Sequence, residues 1–238
     1  MKVYLIIGAG SDIGIAYIQR LIKSENDIHI IALYRNMSEK LRAVIESHKD
    51  SFLPLQVDLS DPEQIKKAID KINEKGLIPT HILHLAARPY EFIKVKNWDE
   101  SNVKESMQIS VYSLAKICSE YLPKMAKAKS GKVVAIVSSV TFDEPPKFTS
   151  MYTTVKYALL GFIKSAAVEY ADKGITVSAL SPGMVDTKFL SNIDEHIKEM
   201  AIEDSPNKRL ISTDEVAEKI EYLFLDESDN KNGINMKM

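Results

Sequence analysis

The amino-acid sequence predicts an α/β fold built on one doubly wound parallel sheet, with helices on both faces. Short runs rich in valine and isoleucine alternate along the chain with longer amphipathic segments. Continuous apolar runs are typical of strands buried on both faces, and their alternation with helices indicates parallel pairing through crossovers. Hydrophobic residues make up 45% of the 238 residues and charged residues 27%, a balance that allows a substantial buried core.

Six apolar runs are predicted to form the strands of this sheet. Each run is shorter than an ordinary helix and rich in β-branched residues, so a buried strand is the better interpretation. The runs cover residues 3–7, 28–33, 52–57, 81–86, 132–138 and 175–180.

The segments between the strands carry signals for helix ends. Asp61-Pro62-Glu63 predicts a helix start, because aspartate caps helix N-termini, proline suits the first turn, and an acid faces the positive end of the helix. Gly76 predicts the end of that helix. A long helical segment is predicted between residues 101 and 128, interrupted near Pro123, and another between residues 150 and 171.

The sequence contains no internal repeat, low-complexity tract or linker, so residues 1–238 are predicted to form a single domain. Residues 184–206 would lie over the carboxyl ends of the strands, where a substrate lid belongs.

The charge balance indicates the class of partner. The formal net charge is -2, with acidic and basic residues interspersed, which favours a small-molecule partner over nucleic acid or a membrane surface. No apolar stretch is long enough to cross a bilayer, and Cys118 is the single cysteine, so we expect a cytoplasmic protein. The five histidines are isolated or at strand spacing, and no metal site is predicted.

The first predicted strand runs into a glycine-rich turn followed by a helical pattern, the Rossmann-like arrangement that binds a dinucleotide. Glycines let the chain turn tightly and bring its backbone close to a pyrophosphate, which N–H groups at the helix N-terminus then hold. The turn residues expected to contact the cofactor are Gly8, Gly10, Ser11, Asp12, Ile13 and Gly14.

The end of the second strand predicts which dinucleotide binds. An acid at this position would accept the ribose hydroxyls of NAD(H), whereas an arginine would bind the 2'-phosphate of NADP(H). The sequence has Tyr34 and Arg35 at this position, so NADP(H) is favoured over NAD(H). Asp58, at the end of the third strand, is equally consistent with a turn-capping residue and with a cofactor ligand.

A tyrosine, a lysine and a serine form the candidate catalytic group. Tyr152 and Lys156 are four residues apart in a helical pattern and therefore share one helix face, where the ammonium can lower the pKa of the phenol. Ser139 lies thirteen residues before Tyr152, at the carboxyl end of a strand, where its hydroxyl could polarise a carbonyl oxygen.

These spacings resemble the short-chain dehydrogenase/reductase family over nearly the whole chain, in its compact branch near the 3-oxoacyl-carrier-protein reductases. The residues that carry the resemblance are Gly8 to Gly14, Asp58, Ser139, Tyr152, Lys156 and the run Ser181-Pro182-Gly183-Met184-Val185-Asp186-Thr187.

The resemblance implies hydride transfer between a nicotinamide and a carbonyl carbon. Tyr152 would then exchange the proton, Ser139 would bind the substrate oxygen, and Lys156 would bind the nicotinamide ribose and tune Tyr152. It also implies that Asp58 and Leu59 lie at the adenine. The later segment would border the nicotinamide and its phosphates through Pro182, Gly183, Val185 and Thr187.

Three regions depart from the family pattern, and residues 232–236 also lack its usual glycine-rich tail. Asp12 replaces a glycine of the turn, and residues 84–87 read His-Leu-Ala-Ala where the compact branch has Asn-Asn-Ala-Gly. Ala86 and Ala87 are still small enough to let a cofactor approach. Ser110 replaces an asparagine that holds a proton-relay water in the family, and either a water-holding or a packing role is open to it.

The sequence leaves the substrate open. An NADP(H)-dependent oxidoreductase is the first hypothesis, with an acyl-thioester and a sugar or nucleotide-sugar as possible substrates. A dinucleotide-binding protein without catalytic activity is the alternative, since residues 84–87 and Ser110 depart from the pattern. Helices 101–128 and 150–171 would, by resemblance, pack against a second subunit, giving a homodimer or homotetramer.

Overall fold

The computed structural model describes residues 1–142, 144–205, 207–225 and 231–238. Within them the chain forms one seven-stranded sheet in which every pairing is parallel, in the order β3-β2-β1-β4-β5-β6-β7. The strands are β1 (Lys2–Ile7), β2 (Ile28–Tyr34), β3 (Phe52–Gln56), β4 (His81–His84), β5 (Gly131–Ile136), β6 (Ile175–Ser181) and β7 (Asn235–Lys237). The predicted doubly wound sheet is therefore confirmed.

The order of the strands reverses between β1 and β4, because β1 to β3 extend to one side of the sheet and β4 to β7 to the other. In doubly wound sheets this reversal opens a crevice at the carboxyl ends of the strands, where ligands bind.

Helices cover both faces of the sheet. They are α1 (Asp12–Ser24), α2 (Glu39–Ser47), α3 (Pro62–Glu74), α4 (Glu100–Met107), α5 (Ser113–Ala128), α6 (Ser150–Glu169), α7 (Glu195–Asp204) and α8 (Thr213–Phe224). Buried residues of α3, α5 and α6 pack on one face, and those of α1 and α8 pack on the other. None of the helices in the described ranges is long and apolar enough to span a membrane.

The predicted helix ends around α3 are confirmed. The Asp61 side chain accepts a hydrogen bond from the Glu63 N–H, Pro62 is the first helical residue, and Gly76 follows the helix with a φ of +68°.

The long helical segment differs from its prediction. It is not interrupted at Pro123, which lies inside α5, but at Gln108–Tyr112, where one π-helical turn joins α4 to α5. Pro123 and Ser119, the residue four positions earlier, both face solvent. The carbonyl that loses its partner at a proline can therefore bind water, and the helix continues.

The predicted lid segment contains one short turn, Lys188–Leu190, followed by α7. A bridge pairs Val185 with Ile211 and closes the base of this segment. Pro206, the last residue of the predicted lid, lies outside the described residues.

Candidate active site

A cavity of about 960 Å³ lies at the carboxyl ends of the strands, in the crevice where the strand order reverses. It extends from the glycine turn before α1 to the side chains of Tyr152 and Lys156 on α6. The predicted site residues that line it are Gly10, Ser11, Asp12, Ile13, Arg35, Ala87, Ser139, Tyr152, Lys156, Pro182, Gly183, Val185 and Thr187.

The glycine turn has no room for side chains at its closest approaches. A Cβ on Gly14 would lie 2.8 Å from the Gly8 carbonyl oxygen, and one on Gly10 would lie 3.0 Å from the Asn36 carbonyl oxygen. Gly8 has a φ of +92°, a conformation that L side chains rarely adopt. Ser11 caps α1 by accepting a hydrogen bond from the Gly14 N–H at 3.0 Å. The remaining N–H groups at this helix end suit an anionic phosphate.

Gly8 and Gly14 therefore lie on the side of the turn that faces the protein interior. They allow the tight turn but do not line the cavity. Tyr34 and Ala86, also predicted to contact the cofactor, lie behind the turn in the same way. A Cβ on Gly10 would be 3.6 Å from the Tyr34 Cβ, and one on Gly8 would be 3.2 Å from the Ala86 nitrogen.

Asp12 connects the turn to the predicted lid. Its Oδ2 accepts a hydrogen bond of 2.8 Å from the Lys188 backbone N–H. The residue that replaces a family glycine thus holds the first turn of the lid segment beside the N-terminus of α1.

The end of the cavity away from Tyr152 and Lys156 is lined by Arg35, Asn36, Ser38, Glu39 and Lys40. Arg35 is exposed just after β2, and Lys40 provides a second cation in the first turn of α2. Both cations can reach an anionic group placed at this end of the cavity.

Asp58 and Leu59 do not line the cavity. Asp58 Oδ1 accepts hydrogen bonds from the backbone N–H and the hydroxyl of Ser60, at 2.9 and 2.7 Å. These bonds, with a smaller contribution from the charge of Arg35, hold the pKa of Asp58 below its usual value. The sequence leaves Asp58 open as a turn-capping residue or a cofactor ligand, and these contacts match the turn-capping role. The Leu59 carbonyl oxygen accepts from Gln108 Nε2 at 3.3 Å.

At the catalytic end, α6 carries Tyr152 and Lys156 on one face. Lys156 is 4% exposed, its Nζ donates to the Ile136 carbonyl oxygen at 3.0 Å, and this Nζ lies 5.6 Å from the centroid of the Tyr152 ring. Burial lowers the pKa of Lys156 to about 8. The ammonium is thus fixed at the end of β5 and faces the phenol.

Burial also determines the state of Tyr152. It raises the pKa of the phenol to about 12, although a hydrogen bond with the Ser138 hydroxyl lowers it in part. Desolvation of the phenolate is the larger of these two causes, and the expected lowering of this pKa by Lys156 stays a prediction. The phenol is protonated at neutral pH.

Two adjacent serines line the cavity beside Tyr152. Ser139 starts a short 3-10 turn, and its backbone N–H donates to the Pro182 carbonyl oxygen at 2.9 Å. Ser138 hydrogen-bonds Tyr152. From the sequence, only its neighbour Ser139 is selected. A pair of hydroxyls at a strand end was visible in the sequence, but the backbone turn that orients them was not.

His84 and Ser110 lie beneath this end of the site. The π-turn directs the Ser110 carbonyl oxygen to His84 Nε2, at a distance of 2.9 Å. Both side chains are buried, and neither lines the cavity. Desolvation, with the charge of Lys156, lowers the pKa of His84 to about 3, so this ring is neutral.

Tyr90 is a cavity residue that was not singled out from the sequence. It follows β4, is 8% exposed, and its ring centroid lies 4.6 Å from that of Tyr152 in an edge-on contact. It packs in a small apolar cluster with Leu190 and Ile193 of the lid segment. Its position depends on loop packing, which no periodicity records.

Among the described residues, no group of three or more histidine, cysteine, aspartate or glutamate side chains could hold a metal ion.

Comparisons with known proteins agree with this architecture. The family model for short chain dehydrogenases matches residues 2–198. Nodulation protein G of Azospirillum brasilense is 30% identical over 229 residues, covering 93% of this chain and 90% of that protein. A 3-oxoacyl-[acyl-carrier-protein] reductase, FabG of Thermotoga maritima, is 27% identical over 231 residues, covering 95% and 92%.

Solved structures share the fold. A structure of ElxO with NADP bound matches with a TM-score of 0.86 at 24% identity, covering 99% of this chain and 96% of that one. A 4-hydroxyisoleucine dehydrogenase complexed with NADH matches with a TM-score of 0.89 at 24% identity, covering 100% and 97%. The family match, the relatives and the arrangement of the site lead to one conclusion: the chain belongs to the short-chain dehydrogenase family.

Proposed function

We propose that this protein is an NADP(H)-dependent oxidoreductase that interconverts a carbonyl and a secondary alcohol. The observation that carries the proposal is the cavity that joins a glycine turn at a helix N-terminus to Tyr152 and Lys156. A nicotinamide dinucleotide has a central pyrophosphate with adenosine on one side and the reactive nicotinamide on the other, which suits a cavity that runs from Arg35 past the glycine turn to Tyr152.

The glycine turn before α1 suits a dinucleotide. Gly10 and Gly14 have no side chains, so backbone atoms occupy the space that a Cβ would need and the turn stays tight. Ser11 and Ile13 would hold the pyrophosphate, Arg35 and Lys40 would bind a 2'-phosphate, and the 182–187 segment would border the nicotinamide. When bound, NADP(H) supplies the hydride. Relatives of this fold bind either NADP or NADH, so Arg35 carries the preference for NADP(H).

The residues of the chain control the proton. Tyr152 is protonated at neutral pH, and its O–H is the donor to the substrate oxygen as negative charge develops there. The hydroxyls of Ser138 and Ser139 stabilise that charge by donating hydrogen bonds. Once Tyr152 has given up its proton, the ammonium of Lys156, fixed by the Ile136 carbonyl oxygen, stabilises the phenolate.

A dinucleotide-binding protein without catalytic activity is the competing proposal. The convergence of Tyr152, Lys156 and two serine hydroxyls on one cavity supports the enzyme, since binding alone does not require this set.

The substitution Tyr152→Phe tests the proposal. We expect consumption of NADPH with a panel of carbonyl compounds to fall at least about 100-fold, because the proton donor is lost, while NADPH affinity stays within about twofold. Tyr222→Phe is the control, since Tyr222 is exposed on α8 and lies outside the cavity. Wild-type protein that binds NADPH and reduces no compound of the panel would favour the competing proposal.

The proposal includes a homodimer or homotetramer in the cytoplasm. Large exposed side chains support the assembly: Tyr112 in the π-turn before α5, and Tyr157 and Val168 on α6. Burial of the single cysteine, Cys118, is consistent with a compartment in which no disulfide is needed.

A further inference from the structure

We infer that the catalytic end of the cavity takes an uncharged carbonyl compound with an apolar ring or chain beside its C=O group, and that Tyr90 selects it. This inference rests on the proposed function, because it names the substrate class of the same site.

The position of Tyr90 makes it a wall of the substrate site. Its ring contacts the ring of Tyr152 edge-on, at an interplanar angle of 62°. Its hydroxyl hydrogen-bonds to the Thr149 side chain, and Thr149 Oγ1 in turn donates to the Pro146 carbonyl oxygen at 2.7 Å. The polar end of Tyr90 is thus engaged by the neighbouring loop. A molecule beside Tyr152 meets the aromatic ring.

The wall provided by the lid segment is apolar as well. Leu190 and Ile193 are buried against Tyr90, and Met184 and Phe189 pack on the same cluster. All four also line the cavity. A substrate with several hydroxyl groups would lose its hydrogen bonds to water against these side chains without gaining protein partners. This argues against a sugar or a nucleotide-sugar.

Among the residues that the structure describes, the charges near this end do not form a site for an anion. Glu144 and Lys188 line the cavity, but both are exposed at its rim and have opposite signs. Arg88, close in sequence to Tyr90, does not line the cavity. Its guanidinium pairs with Glu105 at 2.8 Å and donates to Asn102 Oδ1 at 2.8 Å.

The polar groups at the bottom of the site are those needed to recognise one carbonyl oxygen: the hydroxyls of Tyr152, Ser138 and Ser139. A few convergent polar groups surrounded by apolar walls are typical of sites for small, largely apolar ligands. The body of the substrate is therefore recognised by apolar contact, and its carbonyl oxygen by hydrogen bonds.

The first experiment compares three small ketones with wild-type protein and NADPH. Ethyl acetoacetate is neutral and partly apolar, acetoacetate has the same ketone beside a carboxylate, and dihydroxyacetone is flanked by hydroxyls. We expect kcat/KM for ethyl acetoacetate to exceed that for each of the others at least about tenfold.

The second experiment identifies the residue responsible. Tyr90→Ala should lower kcat/KM for ethyl acetoacetate at least about tenfold and reduce its advantage over acetoacetate, because the site becomes open to water. Tyr90→Phe keeps the ring and should stay within about threefold of wild type. Phe92→Ala is the matched control. Phe92 packs on Tyr90 in the same loop, with centroids 5.0 Å apart, but does not line the cavity.

The outcomes separate the inference from the proposed function. Higher kcat/KM for acetoacetate or dihydroxyacetone, with NADPH bound, overturns the inference alone. Equal losses in Tyr90→Ala and Phe92→Ala overturn the role of Tyr90, because they would reflect general disturbance of the loop. Failure of the wild-type protein to bind NADPH overturns the proposed function, and the inference with it.

Discussion

Arg35 is the side chain on which the proposed cofactor preference depends. It is exposed after β2 and lines the cavity together with Lys40, so its guanidinium is available for a 2'-phosphate. We expect Arg35→Ala to weaken NADPH binding about tenfold, equivalent to about 1.4 kcal/mol, and to change NADH binding by no more than about twofold. Nicotinamide fluorescence titration measures both affinities.

Arg42→Ala is the control for this experiment, since Arg42 is an exposed cation of α2, the helix that carries Lys40, and does not line the cavity. Equal weakening of NADPH and NADH binding by Arg35→Ala would contradict the assignment.

Lys156 sets the expected dependence of reduction on pH. Burial lowers its pKa to about 8, so the ammonium is present below that pH and lost above it, whereas Tyr152, with a pKa of about 12, keeps its proton throughout. The rate of carbonyl reduction should therefore be level near neutral pH and decline above about pH 8. In Lys156→Arg the side chain stays charged, and the decline should disappear even if the rate is lower. A wild-type rate that stays level to pH 10 would contradict this account.

The sequence predicted the residues whose positions follow from local spacing. A separation of four residues was enough to place Tyr152 and Lys156 on one helix face, and the strand end placed the serine pair at the cavity. It could not rank Ser138 against Ser139, since a 3-10 turn orients them, nor foresee Tyr90, which is placed by loop packing. Burial, the quantity that sets the pKa of Tyr152, is also a property of the folded chain.

At the scale of elements, the strands and α3 were predictable because periodicity and capping are local properties. Strand β7 was missed because three residues with one apolar side chain give no pattern, and its pairing with β6 fixes it instead. The π-turn at Gln108–Tyr112 has no sequence signal of its own. It is accompanied by the hydrogen bond between the Ser110 carbonyl oxygen and His84, a contact made across elements.

The junction of β1 and α1 gives a prediction for Gly14. Gly14→Ala would place a Cβ 2.8 and 3.0 Å from the backbone oxygens of Gly8 and Ala9, which cannot move away cheaply. We expect this variant to lose NADPH affinity by at least about tenfold and to be less stable by about 1 kcal/mol or more.

Gly161→Ala is the matched control, because Gly161 is also helical but has open space around its Cβ position. It should gain about 0.5–1 kcal/mol from better helix propensity and leave NADPH affinity unchanged. Thermal unfolding and NADPH titration of both variants check the pair. Normal NADPH binding by Gly14→Ala would show that the turn tolerates a side chain.

At the scale of the whole molecule, we propose that residues 1–238 fold as one domain. The two apolar clusters lie on opposite faces of the same sheet and share its strands, so neither can form without the other. A single cooperative unfolding transition, seen equally by fluorescence and circular dichroism, is the expected behaviour.

Exposed side chains of α6 predict the size of the particle. Val168 is 80% exposed, Tyr157 is 49% exposed, and both lie on α6 close to open space at Gly161. We expect light scattering to give twice or four times the chain mass of 26.7 kDa. Val168→Glu should shift the population toward the monomer, since it places a charge in an apolar contact. A wild-type mass of one chain would contradict the proposed assembly.

The hydrogen bond between the Lys188 N–H and Asp12 connects the glycine turn to the segment beside Tyr90, and we expect it to couple binding at the two ends of the reaction cavity. Asp12 belongs to the first turn of α1, and Lys188 begins a segment whose Leu190 lies against Tyr90. If bound cofactor helps to hold this segment in place and so strengthens substrate binding, then bound substrate must strengthen cofactor binding by the same factor. The protein therefore has the means to bind its two ligands cooperatively within one chain.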